Sequence, residues 1–174
     1  MYELLTPHFF LKNVLELSAT RLRSLGIDGL ILDLDGTLKD YGAANIPDPV
    51  MTWAAELKAE GFRLCLLSNG KTERIGRFAQ ALGVPFVAQA LKPLPFGCKK
   101  ALRLLGLDWS RVALVGDQIF ADILAGRLAG IRTVLVPPTH TVEPWFTRLK
   151  RPLEKLVLRR LERHRPTVRV GLTS

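Results

Sequence analysis

Asp33 and Asp35 stand two residues apart at the end of the apolar run Leu30-Ile31-Leu32, within the stretch LILDLDGTL. Two carboxylates leaving a buried strand together repel each other and lose hydration, so the pair requires compensation. A divalent cation is the usual compensation, because hard cations take oxygen ligands. Farther along, Ser68-Asn69-Gly70 ends a second apolar run and precedes a helical pattern. Free amides at a helix N-terminus bind phosphate, so this triplet suits a cradle for phosphoryl oxygens. Lys92, just before Pro93, offers a fixed positive charge, although taken alone it reads equally as a solvated loop lysine. Asp117 and Asp122, in GDQIFAD, add further oxygen ligands.

Two better-known motifs are mimicked and fail. Asp33-x-Asp35-Gly36 begins like a calcium-binding EF-hand loop, but the sixth position is Leu38 and the twelfth Ala44, where glycine and glutamate are required. Gly70-Lys71-Thr72 ends like a P-loop, yet Cys65 stands where its first glycine belongs. His8, His140 and His164 have no metal-ligand spacing, and Cys65 and Cys98 form no ligand set and read as reduced core residues.

These residues need elements to hold them, and the hydrophobic pattern supplies a set. Residues 6–25 read as two short helices, the first opened by Thr6-Pro7 with Phe9, Phe10, Val14 and Leu17 on its apolar side, the second capped by Ser18. Strands follow at Leu30–Asp35, Arg63–Leu67, within Gly83–Ala90, at Val112–Val115 and at Ile131–Val136. Helices are expected from Asp48 to Glu60, Lys71 to Leu82, after Pro95 to Leu105, and Phe120 to Ala129. The alternation predicts an α/β, Rossmann-like open parallel sheet of about five strands covered by helices on both faces. Ligands of such sheets bind beyond the carboxyl ends of the strands. Three strands hand over to polar groups at that rim: Asp33 and Asp35, Ser68 and Asn69, and Asp117.

The 174 residues fit a single domain, 1–174, and 48% hydrophobic with 24% charged residues describe a folded chain. No apolar run is long enough to span a bilayer and the start lacks a secretory pattern, so a cytoplasmic protein is expected. The net charge of +9 is uneven: nine Lys/Arg and two Glu between Arg148 and Arg169 leave +2 for the rest. An anionic partner would therefore meet the C-terminal segment.

The four motifs DLDGTL at 33–38, Ser68, Lys92 and GDQIFAD at 116–122 appear in the order of the haloacid dehalogenase-like (HAD) phosphatase superfamily, which the sequence resembles. From about Phe10 to Arg163 it is similar to the YqeG-like subgroup, of HAD-IIIA type, which includes phosphatidylglycerophosphate phosphatases. The helical leader 6–25, Lys92-Pro93, Gly116-Asp117-Gln118 and the Pro-Pro before a basic tail carry that likeness, while Gly36 and Gly70 replace the asparagines expected in many members. The resemblance implies a magnesium (Mg2+) dependent phosphomonoester hydrolase with Asp33 as nucleophile and Asp35 as general acid/base. It implies that Thr37, Ser68, the Asn69 backbone and Lys92 hold the phosphoryl group. Asp33, the Asp35 carbonyl and Asp117 would hold the metal, with Asp122 a ligand or close behind. The expected chemistry asks for an Asp35 pKa raised toward neutrality and an ionised Asp33.

The gaps from Leu38 to Pro47 and from Ser68 to Lys92 are short, so a minimal (C0) cap and an open site are expected, unless a neighbouring subunit caps it. An open site suits a large, lipid-borne phosphate, most of all phosphatidylglycerophosphate. A soluble nucleotide or sugar phosphate is the first alternative, and a HAD-fold protein that binds ribosomal RNA or proteins the second. In the basic segment 143–165, Leu153, Leu156, Val157 and Leu161 form a helical stripe. Arg151, Lys155, Arg159 and Arg163 form a ladder on another face. That helix either packs on the core with a solvated basic side or docks peripherally on the inner face of an anionic membrane. Nucleic acid fits less well, since no aromatic or glycine-rich pattern accompanies the charge.

Overall fold

Short runs of Leu, Ile, Val and Cys form the central strands of the computed structural model, which describes residues 2–139. The strands are β1 (Phe9–Phe10), β2 (Gly29–Leu32), β3 (Arg63–Leu67), β4 (Phe86–Val87), β5 (Val112–Gly116) and β6 (Arg132–Leu135). All pair in parallel, in the order β1-β6-β5-β2-β3-β4. The helices are α1 (Ala19–Ser24), α2 (Asp48–Ala59), α3 (Thr72–Leu82), α4 (Phe96–Leu105) and α5 (Leu124–Leu128).

Successive strand residues face opposite sides of the sheet, so a strand buried on both faces needs apolar residues throughout. Leu30, Leu32, Leu64, Leu66, Ala113 and Val115 pack into one core with Trp53 and Leu57 of α2 and Ile75 and Phe78 of α3. The alternate residues Ile31, Cys65, Leu67, Val112 and Leu114 pack into a second core with Cys98, Ala101 and Leu105 of α4 and Ala125 of α5. Cys65 and Cys98 are free and buried, as expected, and burial pushes both thiols up to about 12.

Leu32 pairs with Leu66 on one side and with Val115 on the other, so β2, β3 and β5 end level. The chain runs outward from β2 through β3 to β4, then returns to β5 on the opposite side of β2. That reversal is the switch point at which open α/β sheets bind ligands. The connections at the rim are short: an Asp35–Lys39 bridge closes the turn after β2, and α3 alone fills the link from β3 to β4. Among the described residues no cap domain is inserted.

The structure corrects the sequence expectation in three places. Among the described residues the sheet has six strands, because Phe9–Phe10 is an edge strand rather than the start of a helix. His8 N–H donates to Thr133 O at 3.0 Å and Leu11 N–H to Leu135 O at 3.1 Å, covering the edge of β6. Asn13 then caps a 3₁₀ turn at Val14–Glu16, and Ser18 caps α1 as expected. Second, regular pairing in β2 stops at Leu32 and not at Asp35. Third, a π-helical turn at Ile119–Ile123 precedes α5 where one regular helix is expected. The segment 143–165, with its basic ladder, lies outside the described residues. No described helix is long and apolar enough to cross a membrane.

Candidate active site

Each polar residue at the rim is placed by the strand it follows. Asp33 N–H donates to Val115 O at 2.9 Å, the last bond of the ladder, and leaves the Asp33 side chain buried at the strand end. The chain then turns sharply. Gly36 N–H donates to Lys39 O at 2.8 Å and Leu38 N–H to Leu34 O at 3.0 Å, which brings Thr37 back over Asp33. Thr37 Oγ1 donates to Asp33 Oδ2 at 3.1 Å and reaches Asp117 Oδ1 at 3.4 Å.

Gly36 makes the turn possible. Its φ is +89°, and a Cβ there would meet Asp117 Oδ2 at 2.8 Å and Tyr41 Cε2 at 2.9 Å. Gly36→Ala is therefore expected to lower stability by about 1–2 kcal/mol through backbone strain. It should also slow turnover by pushing Asp117 aside. Thermal melts and steady-state rates measure both, and an unaffected enzyme would contradict the crowding.

Ser68 is buried at the end of β3, and its Oγ accepts the Gly70 N–H at 3.1 Å, shaping the entry to α3. Asn69 holds the loop that delivers Lys92: its Nδ2 donates to Lys92 O at 3.1 Å, and Lys92 N–H donates to its Oδ1 at 2.9 Å. Gln89 and Leu91, in that same loop, have φ of 47° and 57°. Non-glycine residues in this region store strain that surrounding structure must hold. The Lys92 side chain, 4% exposed, reaches into the site and donates to Asp33 Oδ1 at 2.5 Å and Asp122 Oδ1 at 2.6 Å. Asp122 reaches this point from the π turn, where its Oδ2 also accepts the Gln118 N–H at 3.1 Å. A Cβ at Gly116 would collide with the Asp122 side chain, so β5 must end in glycine.

Asp33, Asp117 and Asp122 are all buried, with carboxylate oxygens within 4.8 Å of one another. Three carboxylates and the Lys92 ammonium leave these four side chains with a formal charge of −2. Hard oxygen donors with that excess charge fit a divalent cation. The expected site residues Asp33, Asp35, Thr37, Ser68, Asn69, Lys92, Asp117 and Asp122 thus share one rim.

The surroundings of Asp33 and Asp35 push their acidities in opposite directions. Burial drives the Asp33 carboxyl up to about 7; Lys92 opposes this, while the Asp122 and Asp35 charges add to it. Burial would raise Asp35 too, but hydrogen bonds from Arg74 and Lys39 outweigh it and hold Asp35 below the usual carboxylate range. Arg74 Nη1 donates to Asp35 Oδ2 at 2.8 Å, its Nη2 to Oδ1, and Lys39 Nζ to Oδ1 at 2.9 Å. Sequence reasoning missed both cations. Arg74 lies in the first turn of α3, where the helix dipole disfavours positive charge. That was the available signal.

A haloacid dehalogenase-like hydrolase family model matches residues 41–130. The "Probable phosphatase YqeG" of Bacillus subtilis is 31% identical over 157 residues, which are 90% of this chain and 91% of that protein. The chloroplastic phosphatidylglycerophosphate phosphatase 1 of Chlamydomonas reinhardtii is 28% identical over 159 residues, 86% of this chain and 59% of that longer protein. The cobalt-bound deoxy-D-mannose-octulosonate 8-phosphate phosphatase of Haemophilus influenzae shares the fold, with a TM-score of 0.51 at 17% identity over 77% of this chain and 88% of that one. Since the Bacillus relative matches nearly end to end and the motif residues meet at one strand rim, the chain belongs to the haloacid dehalogenase-like hydrolases and is a phosphatase of the YqeG-like group.

Proposed function

We propose that the chain hydrolyses a lipid-borne phosphate monoester, most of all phosphatidylglycerophosphate, through an aspartyl-phosphate on Asp33. Asp33 supplies the attacking oxygen. Asp35 protonates the departing alkoxide and then takes a proton from the water that cleaves the intermediate. Lys92 faces the transferring group, while Thr37, Ser68 and the Asn69 backbone hold its oxygens. Asp33, the Asp35 carbonyl, Asp117 and Asp122 would hold Mg2+. Bound there, it would lower the repulsion between the attacking carboxylate and the phosphate.

The observation that carries the lipid assignment is the surface of the Lys92 loop. Leu91 and Phe96 are each 63% exposed and Leu94 47%, flanking the lysine that enters the site. From Gln89 to Arg103 the exposed charges are Lys99, Lys100 and Arg103, with no Asp or Glu. Apolar side chains among basic ones suit an anionic bilayer holding the substrate. The algal relative named for phosphatidylglycerophosphate supports the same reading. The basic ladder Arg151, Lys155, Arg159 and Arg163 belongs to it as a second membrane contact, at on the order of 1 kcal/mol per residue.

The test compares hydrolysis of detergent-dispersed phosphatidylglycerophosphate with a panel of soluble nucleotide and sugar phosphates. The lipid should lead in kcat/KM by at least about a hundredfold, the discrimination that on the order of 3 kcal/mol of added apolar and ionic contact provides. Preference for a soluble ester would overturn the lipid assignment. Vesicle co-sedimentation should weaken with salt and on changing the four ladder residues to Glu.

A further inference from the structure

Both oxygens of Asp35 are occupied. Lys39 and Arg74 share Oδ1, and Arg74 alone takes Oδ2. A general acid must carry its proton on an oxygen that meets the leaving group, and a guanidinium that donates to both oxygens stands where that proton would sit, so one of these cations has to withdraw before Asp35 can act.

The two cations differ in freedom. The Lys39 side chain is fully buried, its ammonium also donates to Asp40 O at 2.7 Å, and it lies 5.1 Å from the centre of the Phe78 ring. The bridge between the Asp35 and Lys39 backbones fixes it further. Arg74 has a side chain 36% exposed on the first turn of α3, with its guanidinium 5.7 Å from the same ring. Arg74 is the cation that can move. Whatever draws it away must arrive with the substrate and offer an oxyanion that matches the planar guanidinium fork.

Resting on the phosphatase reading above, we propose that Arg74 is a displaceable clamp on Asp35 and the binding residue for a second anion on the leaving alcohol, of phosphodiester type. The leaving oxygen comes to Asp35, so groups attached to that alcohol lie next to Asp35 and within reach of its outer partner. A diester oxyanion there takes the guanidinium in a bidentate pair and uncovers Oδ2 for the leaving oxygen. Arg74 is then a specificity determinant: a substrate lacking the second anion meets a covered acid. The arrangement selects the anionic leaving group whether or not fatty chains are attached to it.

The test uses two soluble probes, glycerol 1-phosphate and its counterpart whose distal hydroxyl carries a methyl phosphodiester. The wild type should favour the diester-bearing probe in kcat/KM by at least about tenfold, the scale of one charge-assisted pair. Arg74→Met should bring that ratio close to one, and Arg74→Lys should restore part of it, with melting temperatures confirming that each variant folds. A ratio in Arg74→Met equal to that of the wild type overturns the proposal. That includes an equal loss on both probes, as expected of an arginine that only orients Asp35. Absence of phosphate release from either probe by the wild type overturns the phosphatase reading and this proposal together. Both probes are soluble, so the comparison of lipid with soluble esters judges the lipid assignment separately.

Discussion

Asp33→Asn is expected to yield a folded protein that releases no phosphate above background and forms no phosphoenzyme on acid quench. An amide is a poor nucleophile, and losing the attacking group of an enzyme costs about 10⁴–10⁶ in rate. The fold should tolerate the change, since the two side chains have nearly the same shape and the substitution removes one of three crowded buried carboxylates. Asp35→Asn is the informative companion. It keeps the proposed nucleophile and removes the proposed proton shuttle, so both steps should slow by about 10²–10⁴ while a phosphoenzyme still forms. Wild-type turnover in Asp33→Asn would overturn the covalent assignment.

Lys92→Met should produce the largest loss of stability. Its ammonium bridges Asp33 and Asp122 with all three side chains at 8% exposure or less. Removing one partner of a buried ion pair leaves an uncompensated charge and costs about 3–5 kcal/mol. Denaturant melts in chelator should show that loss, and magnesium should recover part of it, because the stranded carboxylates are the ones proposed to hold it. Turnover should fall about 10²–10³-fold with the charge that faces the phosphoryl group. The exposed Lys12, changed to Met, is the control and should move neither quantity by much. An unchanged melting midpoint for Lys92→Met would show that the bridge contributes nothing.

The parts legible in the sequence are those with a local signal. Unbroken apolar runs such as Leu64–Leu67 announced strands buried on both faces, and the acids and Ser68 that end them marked the rim. Phe9–Phe10 carried no such signal. Two residues cannot display a period, and their pairing depends on β6, more than a hundred residues away. Lys39 and Arg74 were hidden for a related reason, since each reads as a solvated cation until the turn after β2 brings Phe78 and Asp35 beside it. The acidities of Asp33 and Asp35 depend on these contacts, and so their order was not legible either.

The π-helical turn at Ile119–Ile123 makes the position of Asp122 a matter of chain length as well as residue type. A π turn adds a bond to the fifth residue, and here Gln118 O accepts from Ile123 N–H at 3.2 Å as well as from Asp122 N–H at 2.8 Å. Deleting one residue there would restore an ordinary helix and rotate the chain before the turn by about 100° relative to the helix after it. Asp122 would swing off Lys92 while α5 kept its seat on the sheet. The acidic motif of this chain is thus written partly in spacing, and a variant that lost one residue in this turn would keep its fold and lose the carboxylate that pairs with Lys92.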